Sequence, residues 1–304
     1  MRNIDQGLSI IIPCRDESGS LPGLINELNS AISAFQNIPV EVIWVNDASK
    51  DESQTIFGQL GAPHKIIENR IRLGQSASIQ KAYEISKYSH IGIIDGDGQN
   101  SPFDLFSMYQ MLQENLTIDF MQGRRIKRKD KLISRKIPSS VANFLARKLL
   151  KTKIHDLGCA TKVIKRDVIE EIPFAGEIHR IYPAHAEIIG FNVKELPVEH
   201  RPRISGETKY GLNRFFKFFI DILFARFRFA VASKPTYVFG GISIVFLLIS
   251  LSMFLLAFIL RILDIKDYLD GALIVGSIVI FMAGILTAFQ AVVIEVILQA
   301  TRNK

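Results

Sequence analysis

Two long uncharged apolar runs close the sequence, Pro235 to Leu260 and Gly271 to Ile294, with only the polar stretch Arg261 to Asp270 between them. An α-helix rises about 1.5 Å per residue, so about 20 residues cross a hydrocarbon core of about 30 Å. Each run is long enough to span. The preceding two-thirds is polar and carries charges of both signs, as a water-facing domain does. The alternative, two helices buried in a large soluble core, sits poorly with runs this long and free of charge. A water-facing domain attached to a membrane hairpin suggests chemistry on a molecule that resides in the bilayer.

Cations fix the expected orientation. Arg226, Arg228 and Lys234 precede the first run and Arg302 and Lys304 follow the second, whereas the connecting loop sets Asp264, Asp267 and Asp270 against Arg261 and Lys266. By the positive-inside rule both termini and the large domain face the cytoplasm. The opening stretch MRNIDQGLSIIIPCRDES is too soon interrupted by charge to be a cleavable signal. Just before the spans, Arg214 to Ala230 mixes phenylalanines with cations, which suits a helix lying in the interface. An ordinary core helix is the plainer alternative for that stretch.

Residues 1–234 suffice for one large or two small domains with a real core. The net charge of +7 fits nucleic acid or an anionic membrane surface, and the hairpin makes the membrane the simpler partner. Only Cys14 and Cys159 occur, so no disulfide framework is implied, in keeping with a reducing compartment. His155 and Cys159 have helical metal spacing, but no further ligand stands near them in sequence, and they read as structural.

Short apolar runs at Leu8 to Pro13, Val40 to Val45, Lys65 to Glu68 and His90 to Ile94 alternate with helical spacing at Leu21 to Phe35 and Ser76 to Lys87. Such alternation argues for βαβ units and a mainly parallel sheet. These sheets bind ligands beyond the carboxyl ends of their strands. Polar clusters stand there each time: Pro13 to Glu17, Asn46 to Asp51, and Asp95 to Gln99. In the last, two aspartates one residue apart on a glycine-containing turn can face one hard cation, and Gln99 can add a carbonyl oxygen. Mg²⁺ is commonly held by one or two carboxylates together with substrate phosphates. Turns favour Asp and Gly in any case, so the position after a buried strand is what gives this cluster weight. Asp47 would then be free to accept hydrogen bonds from a nucleotide's base or ribose.

The stretches IIIPCRDE (10–17), VNDASKD (45–51), RLGQSASIQKA (72–82) and DGDGQNSP (95–102) resemble family 2 glycosyltransferases of GT-A fold. DLGCATKVIKRDV (156–168), HRIYPAHAEIIG (179–190) and HRPRISGETKYG (200–211) extend the likeness to polyprenyl-phosphate glycosyltransferases, the dolichol-phosphate mannose synthase and GtrB/ArnC-like group. The resemblance covers essentially the whole chain. It implies a GT-A domain over 1–211, an interfacial amphipathic region over 212–232, and membrane helices over 235–260 and 271–296. It sets Pro13, Arg15, Glu17 and Asp47 around the nucleotide, Asp95 by the sugar and diphosphate, and Asp97 with Gln99 on Mg²⁺ or Mn²⁺. Arg124, Arg125 and Arg135, with Ser139, become the acceptor-phosphate group. Asp156 falls near the reacting centre, and Arg201, Arg203 and Lys209 close on the donor diphosphate. His179 and Arg180 would help shape the acceptor site. Two positions depart from the pattern. Asn46 replaces an acidic residue after the second strand, and Arg72 replaces an asparagine before Gly74.

The implied reaction moves a sugar from a UDP- or GDP-linked donor to a polyprenyl phosphate such as undecaprenyl or dolichyl phosphate, for envelope glycan or glycolipid modification. A phosphate monoester with a second pKa of about 6 is mostly dianionic at neutral pH. No strong general base is then needed, and Asp156 is expected to orient groups or to stabilise developing positive charge. In-line attack would invert the anomeric centre. The basic stretch Gly123 to Lys136 reads as a contact for lipid headgroups and the acceptor phosphate, or as a solvated loop. It lacks the aromatic interleaving of a nucleic-acid binder, so no nucleic-acid partner is expected. A processive polysaccharide synthase would call for more spans and a Gln-x-x-Arg-Trp motif, whereas the single tryptophan is Trp44 on the second strand. A non-catalytic nucleotide-sugar-binding scaffold is the remaining alternative, and retention of Asp95, Asp97, Gln99 and Asp156 weighs against it. Gly240, Gly241, Gly276 and Gly284 would permit the close helix contacts of a homo-oligomer.

Overall fold

The structure is a computed structural model that describes residues 4–125, 147, 149–150, 152–174, 178–202, 222–224, 226–227, 230–231, 234–263 and 269–302. The chain divides into two compact units, residues 1–223 and 224–304.

The first unit is built on a seven-stranded sheet of order β3-β2-β1-β4-β6-β5-β7. Its strands are β1 (Asp5–Cys14), β2 (Val40–Asn46), β3 (His64–Glu68), β4 (Tyr88–Ile93), β5 (Phe120–Arg125), β6 (Lys162–Lys165) and β7 (Val193–Val198). All described pairings are parallel except those of β6, which runs antiparallel to β4 and β5. The helices are α1 (Leu21–Ala34), α2 (Ser53–Phe57), α3 (Gln75–Ile85), α4 (Pro102–Glu114), α5 (Arg166–Glu171) and α6 (Tyr182–Ile189). The strands after β4 and the helices α2, α4, α5 and α6 were not read from the sequence, whereas β1 to β4, α1 and α3 lie where the periodicity puts them.

Central position explains the composition of β1. Ile10, Ile11 and Ile12 are fully buried because helices cover both faces of a parallel sheet. On one face Leu21, Leu24 and Leu28 of α1 and Leu105, Phe106 and Leu112 of α4 complete the core with Trp44 of β2. Burying each such side chain is worth about 1.5–3 kcal/mol against the entropy of ordering it. The edge strand β3 is half-exposed and carries His64, Lys65 and Glu68 accordingly.

The second unit contains α7 (Pro235–Ile262) and α8 (Leu269–Arg302), both long and apolar enough to cross a membrane. Only 17% and 11% of their most apolar windows are buried, so most of this apolar surface faces outward, as lipid-facing helices require and soluble-core helices do not. Two hydroxyls stitch the pair: Ser243 donates to the Gly284 carbonyl at 2.8 Å, and Ser250 to the Ser277 carbonyl at 2.7 Å. The expected interfacial region 212–232 falls largely outside the described residues.

Candidate active site

The loops that follow β1, β2 and β4 meet at the carboxyl edge of the sheet and hold one another in place. The Asp16 amide donates to Ser49 Oγ at 3.1 Å, the Lys50 amide to Asp16 Oδ1 at 2.7 Å, and the Ser18 amide to Asp51 Oδ2 at 2.8 Å. Asp16 and Ala48 take left-handed backbone conformations, φ 55° and 56°. Asp tolerates that region through local hydrogen bonds, but Ala has no such compensation, and its turn is kept by the loop-to-loop bonds around it. Pro13 stands beside Val45 in the β1–β2 register, and the Arg15 guanidinium lies 3.5 Å from Asp16 at a half-exposed position. Backbone amides of Ser20 and Leu21 close on the Glu17 carbonyl and start α1.

Asp47 is buried, and both of its carboxylate oxygens are engaged within the chain. Oδ1 accepts the Leu73 amide at 2.7 Å and Asn69 Nδ2 at 3.0 Å, and Oδ2 accepts the Gly74 amide at 2.9 Å. Asp47 therefore clamps the segment 69–74, and of the roughly four acceptor sites of a carboxylate these bonds use all but one, on Oδ2. Asn46 likewise turns its Oδ1 onto the Ser49 amide at 3.0 Å and shapes its own loop. Arg72 is exposed on the clamped segment.

The clamp has a consequence for the acidic loop. Gly74, at φ 89°, caps α3, and the next residue, Gln75, donates to Asp95 Oδ1 at 2.7 Å. Burial, reinforced by the charge of Asp97, pushes the Asp95 carboxyl up to about 6. Gly96 is required by space, since a Cβ there would strike the Cys14 sulfur. Asp97 Oδ1 accepts the Gln99 amide at 3.2 Å. Gln99 Nε2 donates to the Arg201 carbonyl at 3.0 Å while the Arg201 amide donates to the Gln99 carbonyl at 2.8 Å. This exchange fixes the side-chain amide and leaves its carbonyl oxygen as the remaining donor atom for a ligand. A carboxylate and an amide oxygen form a hard donor set suited to Mg²⁺ or Mn²⁺. Among the described residues no group of three or more His, Cys, Asp or Glu side chains is arranged to hold a metal, so a cation here would draw further ligands from a substrate.

The Arg201 guanidinium turns to Glu27 on α1, with bonds of 2.8 and 2.9 Å, and to Glu199 at 3.2 Å. Burial alone would raise the Glu27 carboxyl, but the Arg201 and Ser101 hydrogen bonds outweigh it and hold it below its ordinary value. Thus the backbone of Arg201 borders the acidic loop while its charge is paired with carboxylates.

Asp156 is buried at the same edge. Arg125 grips it bidentately, Nε to Oδ2 at 2.7 Å and Nη2 to Oδ1 at 2.8 Å, and adds its own backbone amide at 3.2 Å. Strand alternation puts Arg124 on the other side of β5, exposed. Of the expected phosphate cations, Arg125 is bound to Asp156, Arg124 is open to solvent, and Arg135 and Ser139 lie outside the described residues. Arg203 and Lys209 lie outside them too. The structure also gathers residues that the motif reading passed over. Lys162 is buried in β6, where desolvation lowers its ammonium to about 8, and its Nζ donates to the His179 carbonyl at 3.2 Å. His179 Nδ1 lies 2.9 Å from Ser76 Oγ. A lysine opening a four-residue apolar strand was the available signal; Gln75 had only its place after Gly74.

Comparisons with known proteins identify the family and the fold. The sequence matches the family described as Glycosyl transferase family 2 over residues 9–173. It is 32% identical over 243 residues to a dodecaprenyl-phosphate galacturonate synthase of Rhizobium johnstonii, spanning 78% of this chain and 71% of that one. It is 28% identical over 224 residues to an undecaprenyl-phosphate 4-deoxy-4-formamido-L-arabinose transferase of Pseudomonas fluorescens, spanning 72% of this chain and 64% of that one, a little under two thirds. Among solved structures, mannosyl-3-phosphoglycerate synthase from Rubrobacter xylanophilus superposes with a TM-score of 0.58 at 15% identity, over 73% and 74% of the two chains. Glucosyl-3-phosphoglycerate synthase from Mycobacterium tuberculosis, in complex with Mn²⁺, uridine diphosphate and glucosyl-3-phosphoglycerate, gives 0.53 at 15% identity, over 73% and 80%. These structures establish the shared GT-A fold. With the family match covering more than half of its length, the chain belongs to glycosyl transferase family 2.

Proposed function

We propose that this protein is a membrane-bound inverting glycosyltransferase that moves a sugar from a nucleotide-diphosphate donor to a polyprenyl phosphate. It would sit in the cytoplasmic membrane with the catalytic domain and both termini on the cytoplasmic side. The observation that carries the reading is the acidic loop Asp95 to Gln99, braced by Gln75 and by the backbone of Arg201, in a chain 32% identical to a polyprenyl-phosphate sugar synthase. The two long apolar helices supply the anchor that a lipid acceptor calls for.

In this reading a phosphate oxygen of the acceptor attacks the anomeric carbon. The bond from that carbon to the donor's diphosphate oxygen breaks, and the nucleoside diphosphate leaves with the electron pair. Asp97 and the Gln99 carbonyl would hold Mg²⁺ or Mn²⁺ with the donor diphosphate, and the cation would offset the charge growing on the leaving group. Asp95, oriented by Gln75, would face the sugar and diphosphate. Asp156, held by Arg125, would stabilise positive charge on the sugar ring. Pro13, Arg15 and Glu17 border the nucleotide side. Arg124, with Arg135 and Ser139, supplies the acceptor-phosphate group, and Arg203 and Lys209 close on the diphosphate.

The test uses the full chain in lipid with undecaprenyl phosphate, Mg²⁺ or Mn²⁺, and a panel of UDP- and GDP-sugars, read by mass spectrometry. A metal-dependent glycosyl-phosphate lipid from one donor, lost in Asp97→Ala, is the expected result. Neither product nor metal-dependent nucleotide binding would overturn the enzymatic reading in favour of a scaffold.

A further inference from the structure

Asp156 lies in a loop outside the sheet, yet three side chains from two neighbouring strands grip that one residue. Gln122 on β5 and Glu195 on β7 are register partners. Glu195 Oε1 accepts the His155 amide at 2.8 Å and the Asp156 amide at 2.9 Å, and Oε2 meets His155 Nδ1 at 2.7 Å. Its side chain is only 12% exposed. Gln122, fully buried, donates from Nε2 to the Asp156 carbonyl at 3.2 Å and to the Cys159 carbonyl at 2.9 Å. Arg125 holds the carboxylate. The amide, carbonyl and side chain of Asp156 are each fixed by a different group.

We propose that Glu195 is a positioning residue for Asp156: its carboxylate pins the backbone at 155–156 so that the Asp156 carboxylate meets the reacting centre in one orientation. The inference rests on the reading that Asp156 works at that centre. The exposed His155 amide could be met by water at small cost, and that of buried Asp156 needs one acceptor of any kind. Meeting them instead with a nearly buried carboxylate sets backbone geometry, because charge-assisted bonds are shorter and stronger than neutral ones. Arg125 on the carboxylate and Gln122 on the carbonyl still leave the 155–156 peptide able to pivot. Glu195 removes that pivot, and a displacement of about 1 Å at a reacting centre can cost about 10²-fold in rate.

Glu195→Gln keeps the size but replaces one acceptor oxygen with a donor that would face the amides or the imidazole. Turnover should fall by about 10²-fold with the donor's KM little changed, at temperatures well below the unfolding midpoint, which should itself drop as a buried donor is left unsatisfied. In an Asp156→Asn background the same substitution should cost little more, because the group it positions is already gone. Glu195→Asp, which keeps the charge but withdraws it by one methylene, should show the same pattern if Glu195→Gln does not fold. An equal loss in both backgrounds, or a loss carried by KM, would overturn the proposal. If Asp156→Asn alone left turnover untouched, the assignment of Asp156 to the reacting centre would fail, and with it the basis for a role of Glu195.

Discussion

Replacing Asp47 by asparagine tests whether this carboxylate belongs to the fold or to the ligand. In the structure it accepts three hydrogen bonds, from the Leu73 amide, the Gly74 amide and Asn69 Nδ2, at 2.7 to 3.0 Å. Asparagine offers one oxygen and one NH₂. If its oxygen keeps Leu73 and Asn69, the NH₂ faces the Gly74 amide, donor against donor. A bond to a charged group contributes about 1.5–3 kcal/mol, and the two bonds that remain are weakened by loss of charge. About 3 kcal/mol should therefore leave the 69–74 segment, or about 10²-fold in its opening equilibrium. The assay is hydrogen exchange at Leu73 and Gly74 in the full chain in lipid, alongside nucleotide affinity. Protection at both amides should drop by about that factor. Turnover should fall with it, since Gln75, the residue that follows this segment, braces Asp95. Unchanged protection together with a large loss of nucleotide affinity would refute the reasoning and return Asp47 to the ligand.

The imidazole of His90 should give acid sensitivity. Burial, helped by the Lys165 charge and opposed by Asp167, lowers it from 6.5 to about 4, with Tyr109 edge-on at 5.0 Å and Ser89 and Gln113 on its nitrogens. The unfolded chain takes up this proton first, so stability should be full above 6.5 and decline as pH falls toward 4, at up to about 1.4 kcal/mol per pH unit. His90→Gln should flatten the thermal midpoint against pH across that window, and an unchanged slope would reject the cause. In the hairpin, a Cβ on Gly284 would sit 3.2 Å from the Leu247 side chain and 3.3 Å from Phe246 Cβ. Gly284→Leu should part the helices, strain the Ser243 bond and cost about 1–3 kcal/mol. The readout is the unfolding midpoint of the pair in mild detergent, which an unperturbed contact would leave at the wild-type value.

What could be read in the sequence followed burial. Central strands in a parallel sheet must be apolar along their length, so β1, β2 and β4 announced themselves, as did the hairpin. The far side of the sheet did not. β6 is only four residues long with a lysine at each end, β5 finishes in two arginines, and the half-exposed β7 carries Lys194 and Glu195. The acidic residues after each strand were visible as candidates, but their partners were not. Whether Asp47 faces a ligand or a clamp depends on a segment that returns from 22 residues or more along the chain. The grip on Asp156 joins residues 31 and 39 positions away. Long-range pairing of this kind leaves no local pattern.

The hairpin also acts as a depth gauge. At one end the Lys234 ammonium lies over the Tyr237 ring at 5.7 Å, and Thr236 donates to the Glu295 carboxylate at 3.1 Å. At the other end Arg261 closes the uncharged run. From Thr236 to Arg261 the helix rises about 38 Å at about 1.5 Å per residue, more than the roughly 30 Å of an average hydrocarbon core. The polar ends resist entering the hydrocarbon, so in an average bilayer the mismatch would be met by tilting the pair, by snorkelling of its end residues, or by gathering thicker lipid around it. Bilayer thickness thereby becomes a variable that sets the helices' tilt, and lipid composition a means of adjusting it.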